Sequence, residues 1–201
     1  KAQQSDIQGF ISAAAADTYG ASSAEDEEDE EGQHMPLRGP VPELGGKWAS
    51  CITVVNPSTN EKTELELQDN EAAFSVCACS FRSAARSGTA EQSYIVVGTA
   101  VGMTLQPRKA QQYFLRTYQL NESMELSLVH CTAVEEMPLC LAPFRGCLLA
   151  GVGTVLRMYD LGLKQLLVKC EARGFPSAVA RVDSHGDRVF VGDMSESVLC
   201  V

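Results

Sequence analysis

Residues Leu128–Phe144 read LVHCTAVEEMPLCLAPF, and further on Leu167–Asp183 read LVKCEARGFPSAVARVD. The two align without a gap, and Leu65–Phe81 (LELQDNEAAFSVCACSF) repeats the pattern earlier in the chain. Each window is followed by an apolar run that stops at a glycine: Tyr94–Val97 before Gly98, Cys147–Ala150 before Gly151, and Arg188–Val191 before Gly192. An offset of about 40 residues, as between the windows opened by Leu128 and Leu167, is the mark of a four-stranded propeller blade. The larger offset between the first two windows comes from Arg82–Gln92 and Val101–Gln112, polar stretches that read as loops inserted on a blade.

Outward from the windows the pattern holds. From Trp48 onward short apolar runs alternate with turn signals such as Asn56-Pro57, Gly98, Asn121 and Gly151, and no helical period appears. Many short strands with regular punctuation mean an all-β domain. The 154 residues from Trp48 hold about three to four blades at ~42 residues each, fewer than closure usually takes. The expected fold is therefore all-β: part of a WD40-like β-propeller of about three to four blades, with two open blade faces, preceded by a short helix and an acidic linker.

The front of the chain differs. Over residues 5–18, Ser5 suits a helix N-cap, and Ile7, Phe10, Ile11 and Ala14 share one helical face. A helix this short is marginal alone in water, so Ile7, Phe10 and Ile11 are the candidate partner-docking residues. Ala24–Glu31 holds seven acids in eight residues, too charged to collapse, and Met35–Gly46 is rich in Pro and Gly. The domain plan is a short amphipathic helix over 1–20, an acidic linker over 21–47 and a partial propeller over 48–201.

Of the net charge of −10, most sits in front: residues 1–47 carry 3 Lys/Arg against 10 Asp/Glu, and residues 48–201 carry 13 against 16. A near-neutral body argues against direct phosphate-backbone binding, which needs clustered Lys/Arg to release counterions. The uncharged apolar run Gly146–Leu156 falls well short of the roughly 20 residues with which a helix crosses a membrane. The eight cysteines contain no C-x-x-C pair and show no zinc spacing with His34, His130 or His185. Most lie in apolar runs, so reduced thiols in an intracellular compartment are expected, with Cys77, Cys131, Cys147 and Cys170 buried.

No catalytic constellation stands out. Gly151-Val-Gly153 lacks the third glycine and the helix of a dinucleotide site, and reads as a hairpin turn. Gly45-Gly46-Lys47 lacks the opening glycine of a phosphate loop, since Val41 holds that place. Asp183-Ser-His-Gly-Asp187 has triad residue types, but neighbours in sequence do not converge on one atom, so it reads as a strand-joining turn. Glu135-Glu136 would face opposite sides of a strand and make no acid–base couple. The expectation is a protein without catalysis, cofactor or metal.

Several stretches together resemble a known family. Trp48-Ala-Ser50, Asn70–Val76 (NEAAFSV), Pro107-Arg108, Tyr118, Val134-Glu-Glu136, Ala142-Pro-Phe144 and Gly151-Val-Gly153 are among them. Leu156-Arg157, Tyr159–Gly162 (YDLG) and Leu166-Leu167 with Lys169–Glu171 (KCE) continue the run. They resemble the start of the C-terminal propeller in the splicing factor 3b subunit 3 family, the large propeller scaffold of the SF3b complex. The likeness runs over Trp48–Val201, and residues 1–47 match in character alone. Damaged-DNA-binding protein 1 and the largest cleavage and polyadenylation specificity factor subunit share the architecture. Val191-Gly-Asp193 suits the first of these, but NEAAFSV and the YDLG and KCE stretches favour the splicing family.

The resemblance implies a nuclear, non-enzymatic scaffold of the U2 small nuclear ribonucleoprotein that supports branch-site recognition in pre-mRNA splicing. It implies partners among proteins: the HEAT-repeat subunit of SF3b, its small helical subunit and other U2 proteins. Pre-mRNA or snRNA would be met at most indirectly, and a membrane not at all. It carries over no catalytic residue.

Overall fold

The computed structural model describes residues 11–15, 47–82, 93–105, 107–121, 123–195 and 198–200. They form four antiparallel sheets of three or four strands that follow one another along the chain, and one two-stranded hairpin. The first blade holds β1 (Ile11–Ala15), β2 (Ser50–Val55) and β3 (Lys62–Glu66) in that order. In the second, β4 (Glu71–Ser80) and β5 (Ser93–Val101) lead into a small hairpin of β6 (Thr104–Leu105) and β7 (Arg108–Lys109). The blade is completed by β8 (Gln112–Leu120) and β9 (Leu126–Val134), in the order β4-β5-β8-β9. The third is an unbroken meander of β10 (Pro138–Phe144), β11 (Cys147–Val152), β12 (Val155–Leu161) and β13 (Leu166–Ala172). The fourth holds β14 (Val179–His185), β15 (Arg188–Asp193) and β16 (Val198–Cys200).

The sequence repeat has a structural meaning. Each of the three windows leaves the outermost strand of one blade and enters the innermost strand of the next: β3 into β4, β9 into β10, β13 into β14. The innermost strands β4, β10 and β14 lie side by side and line one hollow of about 540 Å³. Each also carries a bulge at the same place, between Ala73 and Ser75, between Pro138 and Cys140, and between Val179 and Arg181. A bulge adds one residue and sharpens the local bend. Repeated on neighbouring strands, it gives every blade the same entry geometry.

Burial shows how the blades are held. The second strand of the second blade is covered on both faces. Ile95 and Val97 face a cluster with Ile52 of β2, while Tyr94 and Val96 join Cys77, Cys79, Leu115, Leu148, Ala150 and Tyr159. In the third blade Leu148 and Ala150 of β11 belong to that cluster, and Leu149 belongs to the next, with Cys140, Leu156, Val179, Val182, Val189 and Val191. Strands buried on both faces read as continuous apolar runs without alternation. That is why Tyr94–Val97 and Cys147–Ala150 show no polar interruption. The core is thus a series of joints between sheets, each made of residues from two blades.

Turn chemistry agrees with the topology. Arg145 and Gly146, which join β10 to β11, both have positive φ (49° and 74°), as a two-residue type I′ hairpin requires. Gly153 (φ 55°) and Gly186 (φ 60°) turn the chain between β11 and β12 and between β14 and β15. Gly151-Val-Gly153 and Asp183–Asp187 are therefore hairpin elements, as their surroundings predict.

The expected helix is corrected over Ile11–Ala15. This stretch is a strand, antiparallel to β2 in the register Ile11↔Val54 to Ala15↔Ser50. The open edge of β2 offers a row of unpaired backbone groups, and pairing with them satisfies this segment more fully than an isolated, marginal helix would. Ile7, Phe10, the rest of that helix and linker residues 21–46 lie outside the described residues. The expected loop Val101–Gln112 holds the β6–β7 hairpin, and its ends are an aligned pair, Val101↔Gln112, in the β5–β8 ladder. Of the other expected loop, residues 83–92 lie outside the described residues.

Candidate interaction surfaces

The hollow along β4, β10 and β14 is lined by Phe74–Ala78, Leu139–Pro143 and Ala180–Asp183. Apart from cysteine thiols, its ionisable side chains are Arg181 and Asp183, which make no acid–base couple. Among the described residues no group of three or more His, Cys, Asp or Glu is placed to hold a metal ion. Asp183 and His185 lie in β14, with Ser184 Oγ donating to Pro143 O at 3.4 Å.

Two arginines clamp strands within their own blades. Glu71, the first residue of β4, is fully buried, and its Oε1 accepts from Arg116 Nε at 2.6 Å and from Thr99 Oγ1 at 2.5 Å. The second oxygen, Oε2, accepts from Gln68 N at 3.1 Å. Burial disfavours the Arg116 charge, but the hydrogen bond and charge of Glu71 outweigh it and hold the guanidinium above its ordinary pKa. In the third blade Arg157 Nη1 donates to Glu135 Oε2 at 2.5 Å and Nε donates to Glu171 Oε2 at 3.1 Å. Glu135 is lowered below the usual carboxylate range by its hydrogen bond to Arg157, and Glu171 by Arg173 first and then by Arg157. The sequence reading missed both clamps. A signal for them exists: Leu115-Arg116 and Leu156-Arg157 recur at one register, with each leucine opposite the glycine of its neighbouring strand, Gly98 or Gly151.

Joints between blades are also polar. Thr132 Oγ1 on β9 accepts from the buried Leu166 N at 2.9 Å, and His130 Nε2 lies 3.0 Å from Gly162 O. The two contacts run from the outermost strand of the second blade to the third, the first at the start of β13 and the second at the β12–β13 turn. Arg145 forms an ion pair with Asp187, linking the β10–β11 hairpin to the β14–β15 hairpin.

The outer rim is apolar in places. Leu128 and Val129 on β9 and Leu167 and Val168 on β13, equivalent positions of two windows, are all exposed. Cys131 and Cys170, equivalent to each other, are exposed as well, and Cys147 is half-buried. Their expected burial is thereby corrected, with Cys77 alone of the four fully inside. An outermost strand has solvent at its edge and on part of its faces, so an apolar run there does not mean a core position. Of the candidate docking residues, Ile11 opens β1 opposite Val54.

Comparison with known proteins follows the same geometry. A family model described as the CPSF A subunit region matches residues 49–201, which takes in every strand from β2 to β16. The chain belongs to this CPSF A subunit region family. Within it, the chain is 46% identical over 163 residues to pre-mRNA-splicing factor RSE1 of Mycosarcoma maydis. It is 46% identical over 154 residues to spliceosome-associated protein 130 A of Arabidopsis thaliana, and 42% identical over 164 residues to rse1 of Neurospora crassa. These alignments cover 75–80% of the chain but 12–13% of each relative, so the chain spans about one eighth of their length. For a CPSF A region, the stretch described is thus four consecutive blades with joint-centred cores.

Proposed function

We propose that this CPSF A region belongs to a non-enzymatic propeller scaffold of the SF3b complex in the U2 small nuclear ribonucleoprotein. There it supports branch-site recognition in the nucleus through protein–protein contacts. The observation that carries this reading is the 40–46% identity to relatives named as splicing and spliceosome-associated factors. Two physical features support it. The buried polar groups are spent on clamps within blades and joints between them. The blade region carries only 13 Lys/Arg against 16 Asp/Glu, too balanced for a phosphate-binding face. Partners in this reading are the HEAT-repeat subunit, the small helical subunit of SF3b and other U2 proteins.

The test is affinity purification of the tagged, full-length protein from nuclear extract, followed by mass spectrometry and RNA analysis. Recovery of SF3b subunits with U2 snRNA is the expected result. Recovery with polyadenylation or DNA-damage factors, without U2 components, would overturn it.

A further inference from the structure

The outermost strands β3, β9 and β13 end their sheets, so each shows a row of backbone N–H and C=O groups that pairs with no strand among the described residues. Such an edge is a template for another strand, and proteins guard it with charge, Pro or bulges. Two of the three edges carry charge. β3 exposes Lys62, Glu64 and Glu66, and β13 exposes Lys169 and Glu171. The 9 residues of β9 include no Lys, Arg, Asp, Glu or Pro, and Ser127, Leu128, Val129, Cys131 and Ala133 are exposed.

The bulges differ in the same sense. Tyr118 pairs with Leu128 and Thr117 with His130, so the extra residue of β9 is Val129. Tyr159 pairs with Val168 and Met158 with Cys170, so that of β13 is Lys169, whose Nζ lies 3.5 Å from Asp160 Oδ2. One edge thus presents a cation at its bulge, the other an apolar side chain: Val129 is 38% exposed, beside Leu128 at 51%. Beyond the bulge, His130–Val134 runs in unbroken register with Tyr113–Thr117. His130 and Thr132 seat this stretch against the third blade, so the edge is already ordered for an incoming strand.

Charge stands only at the two ends of β9. Glu125 precedes it, and Glu135 and Glu136 follow it. Glu135 is paired with Arg157, whereas Glu125 and Glu136 are exposed and form no ion pair among the described residues. Extended chain from Glu125 to Glu136 spans roughly 35 Å.

We propose that the β9 edge takes up an extended segment of a partner protein as a fifth strand of the second blade, a segment uncharged over the length of β9 and carrying Lys or Arg at both ends. The row of main-chain groups calls for extended backbone, the uncharged strand for uncharged residues opposite it, and Glu125 and Glu136 for cations at its ends. A second copy fits poorly. Antiparallel pairing of two β9 strands centred on His130 would set Glu125 opposite Glu135, and like charges directly opposite destabilise a sheet.

The experiment uses the full-length protein and a fluorescein-labelled peptide of alternating Val and Thr, matched to β9 in length, with two Lys at each end. Saturable binding by anisotropy is expected, with exchange of the outward-facing amides of His130–Val134 slowed at least tenfold. Peptides with two Glu at each end, or with Pro at the centre, should bind at least tenfold more weakly. Val129→Lys gives β9 the guard of β13 and should lower affinity at least tenfold. Glu125→Lys with Glu136→Lys, both at exposed positions, should reverse the preference between Lys- and Glu-flanked peptides. Absence of binding, binding that leaves those amides unprotected, or undiminished binding by Val129→Lys would overturn the proposal. So would protection of the same amides in the free protein, by its own chain or, where protection rises with concentration, by a second copy.

Discussion

Replacing Glu71 by leucine isolates what the buried clamp contributes. The carboxylate is 0% exposed and holds three donors, one of them the Arg116 guanidinium, whose side chain is 5% exposed. Without Glu71 that guanidinium is a buried charge with no counter-ion, and breaking a buried pair in this way costs ~3–5 kcal/mol. Against a whole-domain stability of ~5–15 kcal/mol, the loss is large enough to open the second blade locally. Exchange of β4 and β8 amides, followed by mass spectrometry on the full-length protein, should accelerate by about two to three and a half powers of ten. The double variant Glu71→Leu with Arg116→Met removes both charges, and an apolar pair of similar volume should restore most of the protection. A single variant that exchanges within threefold of wild type would refute the reasoning. So would a double variant as open as the single one.

Other outcomes follow from the joints and the thiols. Thr132→Val keeps the side-chain shape but leaves the Leu166 N–H buried without its acceptor, and should lower stability by ~1–3 kcal/mol, measured as faster exchange at the β12–β13 turn. A thiol reagent at pH 8 should label the exposed Cys131, Cys170 and Cys200 first. It should spare Cys77, Cys79 and Cys140, whose burial pushes Cys77 up to about 12, Cys140 to about 11 and Cys79 higher still. Prompt labelling of the second group in the folded protein would contradict the joint cores. Because the folded Glu135 carboxyl is held low by Arg157, its contribution is present above the unfolded value near ~4.3 and is lost as pH falls through the lowered folded value. Glu135→Gln should remove that acid-side loss, a change of less than ~1 kcal/mol since Glu135 is 70% exposed. The isolated 201-residue chain, with Phe190 and Val198 of the fourth blade exposed, should be aggregation-prone or molten, and a sharp cooperative thermal transition from a monomer would contradict this.

Much of the architecture was legible because the joints impose a regular spacing. Two windows one blade repeat apart, each ending before an apolar run and a glycine, were enough to set the class and blade count. The position of the glycines was readable too, but their reason was not: a side chain at Gly98 or Gly151 would meet Pro138 or Val179, which come from other blades. The clamps were hidden for a similar cause: Glu71 and Arg116 are 45 residues apart, and neither is unusual in its own stretch. Helical spacing misled over Ile11–Ala15, where the open edge of a distant strand decided the conformation. Cys131 and Cys170 misled because an apolar run on an outermost strand resembles one in a core.

The meander layout has a mechanical consequence. In the third blade the chain enters at the innermost strand and leaves from the outermost, so tension applied through the backbone acts at the sheet's two edges, across its ladders. The hydrogen bonds of β12–β13 would then break singly and in order, as in a zipper, in contrast to the collective shear of strands pulled along their length. Resistance to pulling would rest on what clips the edges to their neighbours, namely Thr132 on Leu166, Cys140 on Val179 and Arg145 on Asp187. A machine that remodels such an assembly by tugging on the chain would meet its toughest steps between blades, with easy unravelling inside each one.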